Sequence, residues 1–138
     1  MSGHWEHFPH GADIGIRGVG DTPAEAFAQA AQAVTAAVVD PTTVAAKRSV
    51  NIHCTGADLE DLFYSWLNAL IWEMSVQRML FGKFDVAING DTLHAVAYGE
   101  AVSPARHEPA VEVKGATYTA LSVRHQGGDW VAECVIDV

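Results

Sequence analysis

Apolar positions along this chain switch between a period near two and a period near 3.6, and each switch marks an element. Residues 12–18 alternate small or polar with apolar side chains and read as a short strand closed by the turn Gly18-Val19-Gly20-Asp21. Thr22-Pro23-Ala24-Glu25 then forms a capping box with proline at the first helical position. Behind it Phe27, Ala31, Val34 and Val38 recur at helical spacing in an alanine-rich body, and the helix stops near Asp40-Pro41 because proline disfavours helix in the residue before it. Val50, Ile52 and Cys54 alternate with polar partners as a half-buried strand. Asp58 caps a second helix with apolar residues at Leu59, Leu62, Phe63, Trp66, Leu67, Leu70, Ile71 and Met74, which reads as the principal core helix.

From Leu80 the period returns to two. Phe84, Val86 and Ile88 lead to the hairpin signal Asn89-Gly90, and a returning strand runs from Leu93 to Val102. Residues 103–108 read as a polar loop, 111–114 and 118–125 as strands, and Gly127-Gly128 as the turn into a last strand from Trp130 to Val138. The order β-α-β-α followed by antiparallel strands predicts an α+β fold, with two helices packed on an antiparallel or mixed β-sheet in one domain over residues 1–138.

Composition narrows the class. Apolar residues make up 49% of the 138 and charged residues 18%, too hydrophobic for a disordered chain, and no uniform apolar run is long enough for a membrane span. The first residues carry no basic stretch followed by an apolar core, so the expected location is cytoplasmic. Cys54 and Cys134 sit in strand-like segments outside any CxxC spacing and read as buried free thiols. A net charge of −9 with scattered basic residues repels polyanions, which argues against DNA binding and against direct RNA binding. Any work near RNA goes through a basic protein that holds it.

No phosphate loop, GxSxG elbow, HExxH or dinucleotide fingerprint is present. His4, His7 and His10 are spaced by three, but Pro9 interrupts the run and the segment reads as a frayed end. His10 differs in standing beside the first strand, next to Asp13. The more informative residues carry oxygen: Asp13 at the start of the first strand, Asp40 at the end of the first helix, and Asp137 beside Val138, with its carboxylate, at the end of the last strand. Such a set suits a hard cation, Ca²⁺ or Mg²⁺, if the strands are adjacent. Spacing alone does not separate this from solvated charges at strand ends.

Seven motifs in chain order change that balance. They are His7-Phe8-Pro9-His10-Gly11-Ala12-Asp13-Ile14-Gly15; Asp40-Pro41; Trp66-Leu67-Asn68; Gly99-Glu100; Arg106-His107; Glu112-Val113-Lys114 with Ala116-Thr117-Tyr118; and Asp137-Val138. Together they cover nearly the whole chain, which resembles the archease family. The resemblance implies a metal site built from Asp13, Asp137 and Val138, with Lys114 as a functional or partner-facing residue; His10 and Asp40, from their places in the chain, are candidate additional contacts. It also implies a role: a non-catalytic, metal-binding activator of the RNA-splicing ligase that joins 3′-phosphate or 2′,3′-cyclic phosphate ends to 5′-hydroxyl ends. In that role the protein promotes guanylylation of the ligase and its multiple turnover in tRNA splicing or RNA repair. The alternatives are a chaperone or general protein-interaction module and a stand-alone metal-dependent hydrolase. Gly11, Gly115 and Thr119 depart from the family pattern, which has threonine, alanine and histidine there.

Overall fold

A computed structural model describes residues 3–138. Its elements run β1 (His4–His10), β2 (Asp13–Gly20), α1 (Pro23–Val38), β3 (Arg48–Thr55), α2 (Leu59–Gln77), β4 (Met79–Asn89), β5 (Thr92–Ala101), α3 (Pro104–His107), β6 (Gly115–Ala116), β7 (Ser122–Gln126) and β8 (Asp129–Asp137), with a 3-10 turn at Pro41–Thr43. One sheet has the order β1-β2-β8-β6, with β7 also on β8; the other has the order β3-β5-β4. All pairings are antiparallel. The fold is α+β, as the pattern predicts.

Helix α1 packs against β1, β2 and β8 on one side and β4 on the other, so it lies between the two sheets. Nine of its sixteen residues are buried, against six of nineteen in α2. The alanine-rich helix is therefore buried along more of its length, while α2 supplies more of the large buried side chains, Leu62, Phe63, Trp66, Leu67 and Leu70, as expected of a core helix. Small side chains explain the deep burial of α1, because they let strands approach the helix backbone. A Cβ on Gly18 of β2 would stand 2.1 Å from the Ala26 carbonyl oxygen, a distance no side chain tolerates. The cap forms with one arm displaced: Glu25 N–H donates to Thr22 Oγ1 at 3.1 Å, and Glu25 Oε1 accepts from the N–H of Asp21, one residue before the cap, at 2.9 Å. The helices are joined where the buried Trp66 indole N–H donates to the Phe27 carbonyl at 3.0 Å.

Three local expectations change. The histidine-rich start is a strand, with Phe8 opposite Gly15 and Pro9 opposite Ile14. Pro9 is tolerated because β1 is an edge strand. Gly15 leaves room for the Phe8 ring, which would lie 2.3 Å from a Cβ there. Gly11 takes a positive φ of 59° in the Gly11-Ala12 turn, a conformation glycine adopts without cost, so its replacement of threonine suits this hairpin. Residues 111–114 form no ladder, and regular pairing there shrinks to β6. Residues 103–108 contain the helical turn α3, whose His107 is buried.

Cys134 is buried and its thiol is pushed up to about 12, chiefly by burial; Cys54 is half-buried, and both are free. Among the described residues no helix is long and apolar enough to cross a membrane.

Candidate functional site

The register of the larger sheet lines up the residues read from the sequence. His10 is opposite Asp13 across β1 and β2, Ile14 is opposite Ile136 across β2 and β8, and Asp137 is opposite Gly115 across β8 and β6. Carried one step beyond the Ile14 and Ile136 pair, the same register sets Asp13 across from Asp137. Side chains directly opposite in an antiparallel pair share a face, and like charges placed so repel. Val138 closes the arrangement by pointing its backbone N–H at Asp13 Oδ1, 3.4 Å away. Asp13 and Val138 are half-buried, whereas Asp137 and His10 are exposed.

Lys114 joins this row through its backbone. Its N–H donates to the Asp137 carbonyl at 2.8 Å, and the chain then continues into β6. Asn68 of α2 holds that segment by accepting the Ala116 N–H at 2.9 Å. Gly115 packs closely there, since a Cβ would sit 3.3 Å from Asn68 Oδ1. Beyond it, Thr117 donates through both N–H and hydroxyl to the Val135 carbonyl, and the Thr119 carbonyl accepts Val135 N–H at 3.0 Å. The departure at Thr119 thus leaves the backbone pairing with β8 in place. Tyr118 stacks on Tyr64 with ring centroids 4.3 Å apart.

Among the described residues no three His, Cys, Asp or Glu side chains gather as a metal centre. What the strand ends bring into reach of each other are the carboxylates of Asp13 and Asp137, hard oxygens of the kind calcium and magnesium take, with the Val138 N–H on Asp13. Asp40 has a different local task. Its Oδ1 accepts the Thr42 hydroxyl at 2.8 Å and the Thr42 N–H at 3.0 Å, and these bonds hold its carboxyl below the ordinary carboxylate range. It caps the 3-10 turn after α1.

Two features escaped the sequence reading. The first is a buried polar cluster around Glu100, which is 5% exposed. Its carboxylate meets Arg106, accepts the Ala45 N–H at 2.7 Å, and lies 3.1 Å from His107 Nε2 and 3.7 Å from Lys47 Nζ. His107 Nδ1 accepts the Ser103 N–H at 2.8 Å, so the imidazole is neutral there and its Nε2–H faces Glu100. Burial, and then the charge of Arg106, lower the His107 pKa. The motifs Gly99-Glu100 and Arg106-His107 were visible as strings; that they clasp each other was not.

The second is a groove of about 760 Å³ between the C-terminal half of α2 and residues 109–114, lined among others by Val38, Trp72, Arg78, Val113 and Lys114. Trp72 on its rim is 67% exposed. Lys114 therefore bonds Asp137 through its backbone N–H and also lines the groove.

Comparison with known proteins agrees along the full length. The model of the archease protein family matches residues 5–138. The protein archease of Pyrococcus furiosus is 40% identical over 97% of this chain and 98% of its own, and that of Sulfolobus acidocaldarius is 38% identical with the same coverage. The solution structure of protein 1598 from Methanobacterium thermoautotrophicum superimposes with a TM-score of 0.84 at 30% identity, covering 97% of this chain and 98% of that one. A crystal structure from Thermotoga maritima, described as an archease and possible chaperone, shares the fold with a TM-score of 0.62 at 18% identity, covering 96% of each chain. The chain belongs to the archease family.

Proposed function

We propose that this protein is a non-catalytic, metal-binding activator of a 3′-phosphate RNA-splicing ligase, promoting the ligase's guanylylation and multiple turnover. The observation that carries the reading is the carboxylate row: in a family member, Asp13 and Asp137 fall at facing positions of β2 and β8, with Val138 turned onto Asp13. A bound divalent cation supplies the positive charge that relieves two facing carboxylates. Asp13, Asp137 and a main-chain oxygen of Val138 would hold it, with open positions for water or a partner's oxygen. His10 borders the site on β1 and Lys114 borders it beyond β8. RNA is met through the ligase, in keeping with the net charge of −9.

The test is multiple-turnover ligation by the cognate ligase with this protein or its Asp137→Lys variant. Asp137 is exposed, so the variant should fold, as circular dichroism will verify. Stimulation by the native chain and none by the variant is the expected result; equal stimulation by both refutes the role given to the site. A second reading, a chaperone or general protein-interaction module, draws support from the open groove and the exposed Trp72 and Val76. It requires client binding that is indifferent to metal and to Asp137.

A further inference from the structure

The three-stranded sheet turns one face away from the core, and on it lies a pair of residues unconnected with the acidic row. His53 of β3 stands directly opposite His94 of β5 in the register. Both are exposed, and their ring centroids are 4.2 Å apart with the planes at 53°. Among the described residues no hydrogen bond engages either ring. The pair sits in a shallow concavity of about 580 Å³ that Asn51 and Asp85 also line. Asp85, near the Tyr98 hydroxyl, adds negative charge to that face.

We infer that His53 and His94 form a two-histidine site for a borderline divalent transition-metal ion such as Zn²⁺, Ni²⁺ or Cu²⁺. Neutral imidazole is the common ligand for these ions, while the oxygen set at Asp13 and Asp137 selects hard ones. The geometry is close to what chelation needs. With metal–nitrogen bonds of about 2.0–2.1 Å and about 1.1 Å from nitrogen to ring centre, two imidazoles on one tetrahedral ion have centroids about 5 Å apart. The rings need to open by less than about 1 Å from their present spacing, and exposed side chains do this by small rotations. Two strands fix the ligands in advance, so ordering costs little. The remaining positions of the ion stay open to water or to a side chain of another molecule.

Calorimetric titration of the full chain with Ni²⁺ near neutral pH tests this, paired with amide spectra recorded during addition of paramagnetic Cu²⁺. The native protein should bind Ni²⁺, Cu²⁺ should broaden residues 51–55 and 92–96 first, and excess Ca²⁺ should leave both results unchanged. The double variant H53N/H94N, altered only at exposed positions, should lose the binding event while keeping its urea midpoint. A second variant, H10N/D13N, should retain it, which separates this site from the acidic row. The inference is overturned if the native chain does not bind Ni²⁺ or if H53N/H94N binds it like the native chain. Broadening centred on residues 10–13, or displacement by Ca²⁺, overturns it equally.

Discussion

Replacing Glu100 by alanine is the sharpest probe of how the fold holds the segment that leads to Lys114. The carboxylate is 5% exposed and gathers the Ala45 N–H, Arg106, His107 and, at the rim, Lys47. Removing it strands the Nε2–H of His107, whose side chain has no exposure; an unsatisfied buried donor costs about 1–3 kcal/mol. The Ala45 N–H loses a charged acceptor, a bond of about 1.5–3 kcal/mol, but Ala45 is half-buried and water recovers part of that. Arg106 and Lys47, with 48% and 70% of their side chains exposed, are rehydrated, so their pairs add about 0–1 kcal/mol each. The expected loss is about 3 kcal/mol, a large part of a typical total of about 5–15. Glu100→Gln keeps an acceptor oxygen for the same donors and should cost about 1 kcal/mol. Urea unfolding reads both, as midpoint shifts at constant slope. Hydrogen exchange should show residues 103–114 losing protection ahead of the sheets. A Glu100→Ala loss below about 1 kcal/mol, or equal losses for the two variants, refutes the reasoning.

Acidification should weaken the fold through His107. Its folded pKa lies below the ordinary value of about 6.5, so in the interval beneath that value the unfolded chain takes up the proton first and stability falls with pH, levelling once the folded form also titrates. The urea midpoint of a His107→Gln variant should change less than that of the native chain between neutral and mildly acid pH, and identical slopes would exclude this source. Gly99→Ala should be among the worst single changes in the protein, because the new Cβ would lie 1.8 Å from the Leu80 carbonyl oxygen and force β4 from β5. Overpacking typically costs about 1–3 kcal/mol, and a clash with backbone this close should reach the upper end; a loss under about 1 kcal/mol by urea denaturation would show that the strands part easily.

Elements with a strong local cause were legible. The Thr22 to Glu25 capping box, the Asp58 cap and the period of α2 require only nearby residues, and they stand where the sequence puts them. The hairpin after Asn89 formed with its loop moved by one residue, since Asn89 pairs with Thr92 and Gly90 carries the positive φ. Strand β1 was missed because a histidine- and proline-bearing segment has little strand propensity of its own and is set by its partner β2 and by the His7 ring meeting the Ala33 carbonyl at 2.7 Å. The extent of α1's burial was not read, because alanine's part in it is to let two sheets approach, which depends on elements distant in sequence. Asp13, Asp137 and Val138 were picked as a set from their strand ends and the family resemblance; the structure pairs the neighbouring Ile14 with Ile136 and sets the Val138 N–H on Asp13. The Glu100 clasp could not be read from spacing, because it depends on α3 folding back over β5 and the 3-10 turn.

The seam between β2 and β8 joins residues from opposite ends of the sequence. Arg17 and Glu133, bonded at 2.7 Å, are 116 positions apart. Contacts of such range are entropically the dearest to form and therefore tend to come late in folding. Asp13 and Asp137 face each other across that same seam, so a chain whose sheets are otherwise built but whose seam is open has no carboxylate row. On the function proposed above, a partner that recognises the row would engage only chains in which this seam has closed.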